Sequence, residues 1–374
     1  MPDGREGAVM RLDEILRLRP AVCAGALVCL TERCPLSCAH CSSSSTLSGR
    51  VLDRAALLAF IGSFDRDCRP ELLMLTGGEP LMRPRLVIEA ADAARAAGTR
   101  TAVLSGAFFA SGGELPAPVR DAARAVDHLS LSLDVFHERQ IARDDVFAAL
   151  AALLRLGVAT SLHMVSTGAH DPYPDEVAAQ VRSRFGDEVP MLVAQLRPIG
   201  RGADLLADAA PRTPPDPLAV SPCAMAAWPV VAADGEITAC CNQDVVDGRA
   251  RPAHLVVGRA GETGWPAVRE RMQRSTMLRA IRIVGPTYLA AAEQAGGGNG
   301  KPCVGGYCDA CHRLGDRPEP GRLAERIGGA AVGELLEATV IKAAESAGPA
   351  ELVRRYGSAR HAHLVAERAS EAAA

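Results

Sequence analysis

The sequence predicts an α/β protein built on a parallel sheet. Three observations predict it: six short apolar runs lie between residues 26 and 199, amphipathic helical patterns separate them, and the character of the chain changes after Gly200. The runs are ALVCLT (26–31), LLMLT (72–76), TAVLS (101–105), LSLSL (129–133), SLHMV (161–165) and MLVAQL (191–196). Each is short and apolar enough for a strand buried on both faces, as parallel strands are. After the first run, Leu57, Leu58, Ile61 and Phe64 share a helical face behind an N-cap candidate, Asp53. Leu86, Ala90, Ala94 and Ala97 form a second stripe, stopped by Gly98. Phe147, Leu150 and Leu154 form a third, stopped by Gly157. Such alternation implies right-handed crossovers. It leaves open whether the sheet is open, curved or closed.

Beyond Gly200, ADAAPRTPPDP (207–217) reads as a proline-rich linker, and WPVVAADGEITACC (228–241) as a hairpin turning at Asp234–Gly235. Residues 266–284 read as helical, GGGNG (296–300) as a flexible connector, and 321–374 as an alanine-rich helical tail without chemistry. The glycines of 296–300 do not suit a phosphate cradle, since no strand precedes them and no GK[ST] follows.

Composition excludes several classes. With 374 residues, 48% of them hydrophobic, the chain has ample material for a core, which excludes wholesale disorder. A net charge of −3 and only 3% aromatic residues supply neither the basic field nor the stacking platforms of a nucleic-acid binder. No apolar stretch reaches the ~18–20 residues of a membrane span. The N-terminal segment MPDGREGAVMRLDEILRLRP lacks the apolar h-region of a secretory signal. The expectation is a cytoplasmic protein that engages neither nucleic acid nor membrane. In a reducing cytoplasm its twelve cysteines point to metal or redox chemistry rather than disulfides. Cys23, Cys29 and Cys68 stand alone and read as small buried hydrophobes.

The segment LTERCPLSCAHCSSSS sets Cys34, Cys38 and Cys41 in a C-x3-C-x2-C pattern directly after the first strand. Three thiolates on one loop, stiffened by Pro35, can converge on one metal centre. A four-iron cluster ordinarily takes four cysteine ligands, so three with no near fourth leave one iron open. A structural zinc site closes its tetrahedron, and His40 is wedged between two ligands, which disfavours it as a fourth. This pattern resembles the radical S-adenosylmethionine (SAM) superfamily, whose penultimate loop position, here His40, is usually aromatic. MLTGGEP at the end of the second strand resembles that family's GGE motif.

The resemblance implies a partial (β/α)6 TIM-like barrel with a [4Fe–4S] cluster and SAM at the C-terminal ends of the strands. It implies that Gly77 and Gly78 admit the methionine part of SAM, and that Glu79 binds its ammonium group. By the same mapping Ser105, Gly106, Ser132 and Asp134 end strands near SAM, with Asp134 on ribose or facing substrate; helix caps or loop hydrogen bonds are the alternative. Arg197 would pair with a carboxylate of SAM or substrate. His137 and Glu138 read as a solvated helix start, and His163 as a core histidine. The implied chemistry is reductive cleavage of SAM to a 5′-deoxyadenosyl radical, which abstracts hydrogen from the substrate.

A second group of cysteines follows the linker. Cys223-x11-Gly235-x4-Cys240 resembles the opening of the SPASM and twitch domains of many radical SAM enzymes, and CVGGYCDACH adds Cys303, Cys308 and Cys311. The resemblance implies one auxiliary [4Fe–4S] cluster on Cys223, Cys240, Cys308 and Cys311, within a small α+β domain; four thiolates also suit zinc. Cys241 and Cys303 remain as spare thiols, substitute ligands or hydrogen-atom donors. The implied organisation is an N-terminal extension (1–24), a barrel (25–205), a cluster domain (206–320) and a helical tail (321–374). The expected substrate is a ribosomally made peptide, crosslinked or epimerised, with a flavodoxin or ferredoxin as electron donor and a separate leader-binding protein. An aminocyclitol or aminoglycoside dehydrogenase or epimerase is the alternative.

Overall fold

The computed structural model describes residues 10–112, 114–207, 219–295, 306–316 and 318–366. Residues 208–217 of the expected linker (207–217), the GGGNG connector and Cys303 lie outside the described residues. One nine-stranded sheet runs through the protein in the order β6-β5-β4-β3-β2-β1-β7-β8-β9. The first six strands are Gly25–Thr31 (β1), Leu72–Gly77 (β2), Arg100–Ser105 (β3), His128–Ser132 (β4), Thr160–Ser166 (β5) and Met191–Gln195 (β6). They correspond to the six apolar runs, and all neighbours among them pair in parallel. Burial explains why they were legible: Val28, Leu30, Leu73, Leu75, Leu129, Leu131 and Leu162 are fully enclosed, each contributing about 1.5–3 kcal/mol.

Helices connect the strands. α1 (Leu12–Leu18) precedes β1, and α2 (Arg54–Ile61) follows it, capped by Asp53, whose carboxylate accepts the Ala56 N–H at 2.8 Å. The helix stops at Ile61; Phe64 lies beyond it and packs edge-on against Trp265, with centroids 5.5 Å apart. α3 (Pro84–Ala96) buries Leu86, Ala90 and Ala94, and α5 (Arg143–Arg155) buries Phe147 and Leu150. Leu153 rather than Leu154 completes the buried face of α5. α4 (Ala117–Ala125) and α6 (Tyr173–Phe185) supply the two crossovers that the apolar stripes did not reveal.

A short α7 (Gly202–Leu205) follows β6. The hairpin then appears as β7 (Val230–Val231) and β8 (Glu236–Thr238), turning at Gly235 with φ +86°. It does not stand apart from the main sheet: β7 pairs in parallel with β1 through Leu27 and Val28, and β9 (Val256–Arg259) pairs antiparallel with β8. The remaining helices are α8 (Gln243–Val246), α9 (Trp265–Arg274), α10 (Thr276–Ile283), α11 (Pro286–Ala295), α12 (Tyr307–His312), α13 (Pro318–Gly328) and α14 (Ala330–Tyr356, broken at Gly348). After α14 the chain docks on the outer edge of β6, where Ser358 N–H donates to Val193 O at 2.8 Å. No helix among the described residues is long and apolar enough to cross a membrane.

Candidate active site

The cysteine loop leaves the C-terminal end of β1 and is held from several sides. Cys34 N–H donates to Thr46 O at 2.9 Å, and Cys41 N–H to Cys38 O at 3.1 Å. Arg201, just after β6, clamps it: its guanidinium donates to Cys38 O at 2.9 Å and Ser45 O at 2.8 Å, and its N–H to Cys41 O at 2.9 Å. The sequence reading passed over this arginine for Arg197, four residues earlier. Arg197 donates to Tyr356 O at 2.9 Å, and its charge partly offsets the burial that raises the Cys308 thiol. Gly200, at φ +58°, presses on the loop so closely that a Cβ would lie 2.2 Å from Ser42 O. Gly200→Ala is expected to cost about 1–3 kcal/mol from backbone strain alone. Thermal denaturation would show it.

Each sulfur of the triad has a donor aimed at it. Leu36 N–H points at Cys34 Sγ (3.4 Å), Gln140 Nε2 at Cys38 Sγ (3.3 Å), and the Ser43 hydroxyl lies 3.4 Å from Cys41 Sγ. Burial pushes the Cys34 thiol up to about 12. Burial also acts to raise Cys41, but hydrogen bonds from Ser43 and Ser45 and the Arg201 charge bring it below the ordinary thiol value. Donors converging on three sulfurs suit thiolate ligands. Among the described residues only His40, Asp134 and His137 bring three ligand-type atoms within 4.8 Å of one another. At least one pair of the triad's sulfurs is therefore more than 4.8 Å apart, wider than the roughly 3.8 Å edge of a zinc tetrahedron with 2.3 Å arms. Wider spacing fits a cluster whose ligands bind separate irons.

The TGGEP segment sits directly against this loop. Gly77 takes φ +135°, and a Cβ there would lie 2.3 Å from Thr31 O; at Gly78 one would lie 2.4 Å from Arg33 O. Gly78 and Glu79 N–H groups donate to Thr31 O (2.5 Å) and Arg33 O (2.8 Å). Glu79 is fully buried. It accepts from Leu81 N–H (2.9 Å), Gly106 N–H (2.7 Å) and the Ser105 hydroxyl (2.9 and 3.0 Å). Burial pushes its carboxyl up to about 7, against these four contacts and the nearby His137. Among the described residues no arginine or lysine forms an ion pair with it, and the one cationic side chain acting on it is the His137 imidazole. The structure thus unites Glu79, Ser105 and Gly106 with the triad loop.

Asp134, past the end of β4, is also buried. One oxygen accepts the Phe136 and His137 N–H groups (2.9 and 3.1 Å). The other lies 3.0 Å from His137 Nδ1 and 3.3 Å from His40 Nε2. Burial alone acts to raise the carboxyl; the two imidazoles outweigh it and hold it well below the usual range. Burial acts to lower His137, but Asp134 and the Cys38 thiol lift it to about 10. His137 is accordingly an enclosed partner of Asp134 rather than a solvated helix start. Glu138 does lie partly exposed, bonded to Arg143 and the Tyr173 hydroxyl. Ser132 lies half-buried at the end of β4, paired in register with His163. Burial pushes His163 down to about 4 while Asp134, His137 and His40 act on it electrostatically, so it borders this group.

In the C-terminal half, Cys223, Cys240, Cys241, Cys308 and Cys311 influence one another electrostatically, and burial raises Cys223, Cys240, Cys308 and Cys311. The hairpin brings Cys240 toward Cys223. Segment 221–224 is tied to α12 and α14 by the Tyr307 hydroxyl on Ser221 O (2.6 Å) and the Tyr356 hydroxyl on Pro222 O (3.0 Å). Arg19 enters from the end of α1, stacked 4.7 Å over Trp228, with Nη2 3.5 Å from Cys241 Sγ. Its buried Nη1 has no hydrogen-bond partner among the described residues. A buried guanidinium beside Cys241 calls for a negative charge there. Cysteine thiolates binding a group would supply it. The isolated Cys23 and Cys29 are buried, as expected, while Cys68 is half-buried beside Arg269.

Comparisons with known proteins bear on this arrangement. Residues 28–180, about two fifths of the chain, match the Radical SAM superfamily. The PqqA peptide cyclase of Ruegeria pomeroyi is 38% identical over 117 residues, 28% of this chain; the match spans about a quarter, 27%, of that relative's length. Two solved structures align more distantly. Native anSMEcpe with bound AdoMet is 10% identical at TM-score 0.46, covering 86% of this chain and 99% of that one. BtrN in complex with AdoMet and 2-DOIA is 15% identical at TM-score 0.35, covering 70% and 87%. At these scores neither speaks to the substrate.

Proposed function

We propose, from the match of residues 28–180 to the Radical SAM superfamily, that the chain is an enzyme that reductively cleaves SAM and matures a ribosomally made peptide, by crosslinking or epimerisation. The observation that carries the SAM reading is Glu79, a buried carboxylate beside the cysteine loop with no arginine or lysine partner. The ammonium group of SAM has the matching charge. Cys34, Cys38 and Cys41 would hold the [4Fe–4S] cluster. When bound, cluster and SAM together supply a 5′-deoxyadenosyl radical that takes a hydrogen atom from the substrate. The protein's part is to hold, orient and exclude water. Gly77 and Gly78 leave room for SAM, Ser105 and Gly106 fix the Glu79 carboxylate, and Ser132 and Asp134 border the site. In this reading the six parallel strands form a partial (β/α)6 barrel over residues 25–205. The 206–320 segment is a SPASM- or twitch-like domain, flanked by the 1–24 extension and the 321–374 tail.

Cys223, Cys240, Cys308 and Cys311 would hold one auxiliary [4Fe–4S] cluster, with Arg19 compensating its charge and Arg197 beside Cys308. Cys241 and Cys303 stand as candidates for a spare thiol or a hydrogen-atom donor. Cys308→Ala is expected to leave slow SAM cleavage while abolishing substrate turnover, read by separate chromatography of 5′-deoxyadenosine and product. Equal loss of both would remove the auxiliary assignment.

Peptide maturation is supported by the partial likeness to PqqA peptide cyclase. A cytoplasmic flavodoxin or ferredoxin would deliver the electron, with a separate leader-binding partner presenting the peptide. The spacing of Cys223, Cys240, Cys308 and Cys311 favours a second reading, an aminocyclitol or aminoglycoside dehydrogenase or epimerase. The test begins with the reconstituted, reduced protein under anaerobic conditions: conversion of SAM to 5′-deoxyadenosine is expected, and none from a loaded cluster would sink the proposal. Short peptides encoded beside the gene are then supplied in deuterated buffer. A crosslink or deuterium uptake supports peptide maturation; turnover of an aminocyclitol with the peptides inert supports the alternative.

A further inference from the structure

Gln140 closes the turn that begins at Asp134. Asp134 fixes the start by accepting two backbone N–H groups, and Gln140 and Ile141 N–H both return to His137 O, at 2.9 and 3.0 Å. The turn delivers the Gln140 amide to the middle of the cysteine loop, 102 residues away in sequence. There its oxygen faces Ser37 N–H at 2.8 Å and the Ser37 hydroxyl at 3.3 Å, while Nε2 lies 3.3 Å from Cys38 Sγ. The chemistry fixes which end is which. A backbone N–H can only donate, so the atom facing Ser37 N–H must be the amide oxygen. The NH2 group is then left against sulfur, and a metal-bound thiolate can only accept.

Resting on the radical SAM reading of the triad, we propose that Gln140 is a positioning residue that donates an N–H···S hydrogen bond to Cys38 and thereby raises the reduction potential of the cluster the triad holds. A donor to a ligand sulfur stabilises the more negative, reduced state more than the oxidised one. Gln140 carries no charge at any working pH, so the effect persists across pH. Its acceptor end pins the loop through Ser37, and its donor end acts on the cluster. The two ends can be separated by substitution: Gln140→Leu removes both, whereas Gln140→Glu keeps an acceptor for Ser37 N–H and withdraws the donor.

The experiment is an anaerobic redox titration of the reconstituted full-length enzyme, followed by electron paramagnetic resonance. The triad signal is identified by its change on adding SAM. Both variants are expected to bind as much iron as the wild type, keep the SAM-responsive signal, and show a midpoint shifted to more negative potential. A wild-type midpoint in Gln140→Leu overturns the proposal. A shift in Gln140→Leu absent from Gln140→Glu also overturns it, since it would show that only the Ser37 clamp matters. A wild-type protein that loads iron yet shows no SAM-responsive signal refutes the triad reading itself, and the proposal falls with it.

Discussion

Cys38→Ala is expected to leave no detectable conversion of SAM to 5′-deoxyadenosine, while Cys68→Ala leaves it unchanged. Cys38 is the most enclosed of the triad, at 6% exposure, and its sulfur receives donors from Gln140 and His137. Neither flanking cysteine can take over its position, because Thr46 holds Cys34 through the backbone and Arg201 holds Cys41. Cys68 sits half-buried between α2 and β2 with Arg269 as its neighbour, away from the loop. The assay is anaerobic, with chemically reduced protein and chromatographic detection of 5′-deoxyadenosine. Full turnover by Cys38→Ala would overturn the assignment of the triad.

Glu79→Gln is expected to weaken SAM binding by roughly 30- to 5,000-fold, the consequence of removing one partner of a buried charge pair worth about 2–5 kcal/mol. The pH dependence supplies a separate check. Burial raises the ligand-free carboxyl to about 7, so it becomes protonated as pH falls through that value. The ammonium group requires the ionised form. Affinity should therefore be greatest above pH 7, drop as much as tenfold per unit below it, and lose this dependence in Glu79→Gln. Stability runs the other way. A carboxyl with a folded value above its unfolded one favours folding at low pH and opposes it as pH rises. Between about 4.5 and 7 this group alone costs the ligand-free protein on the order of 3 kcal/mol. Calorimetric titration with SAM and chemical denaturation across this range would measure both, and a flat binding profile in the wild type would remove Glu79 from the ammonium site.

The parallel core was legible because a strand enclosed on both faces must be nearly all apolar, and six such runs stand out from their surroundings. The cysteine loop and GGE turn were legible because both depend on contiguous residues. What escaped was fixed by tertiary contact. Arg201 and Arg197 look alike in QLRPIGRG, and only the path of α7 sends the first to the cysteine loop and the second to the tail. His137 reads as a surface residue in SLDVFHER until the turn after β4 folds it over Asp134 and Cys38. Arg19 lies 222 residues from Cys241, and no local pattern could join them. Nor could spacing show that the hairpin continues the main sheet, since β7 is two residues long and its partner strand lies some 200 residues earlier.

That last pairing affects how the chain is made. β1 acquires β2 soon after it is synthesised, but its other edge stays open until Val230 and Val231 emerge. At roughly 5–20 residues per second, the wait is about 10–40 s on the ribosome. Throughout it, a strand as apolar as Leu27–Leu30 presents unpaired backbone groups, the template on which chains aggregate. The cysteine loop hangs from the same strand, so the scaffold that carries it is complete only once residues 230–231 have joined the sheet.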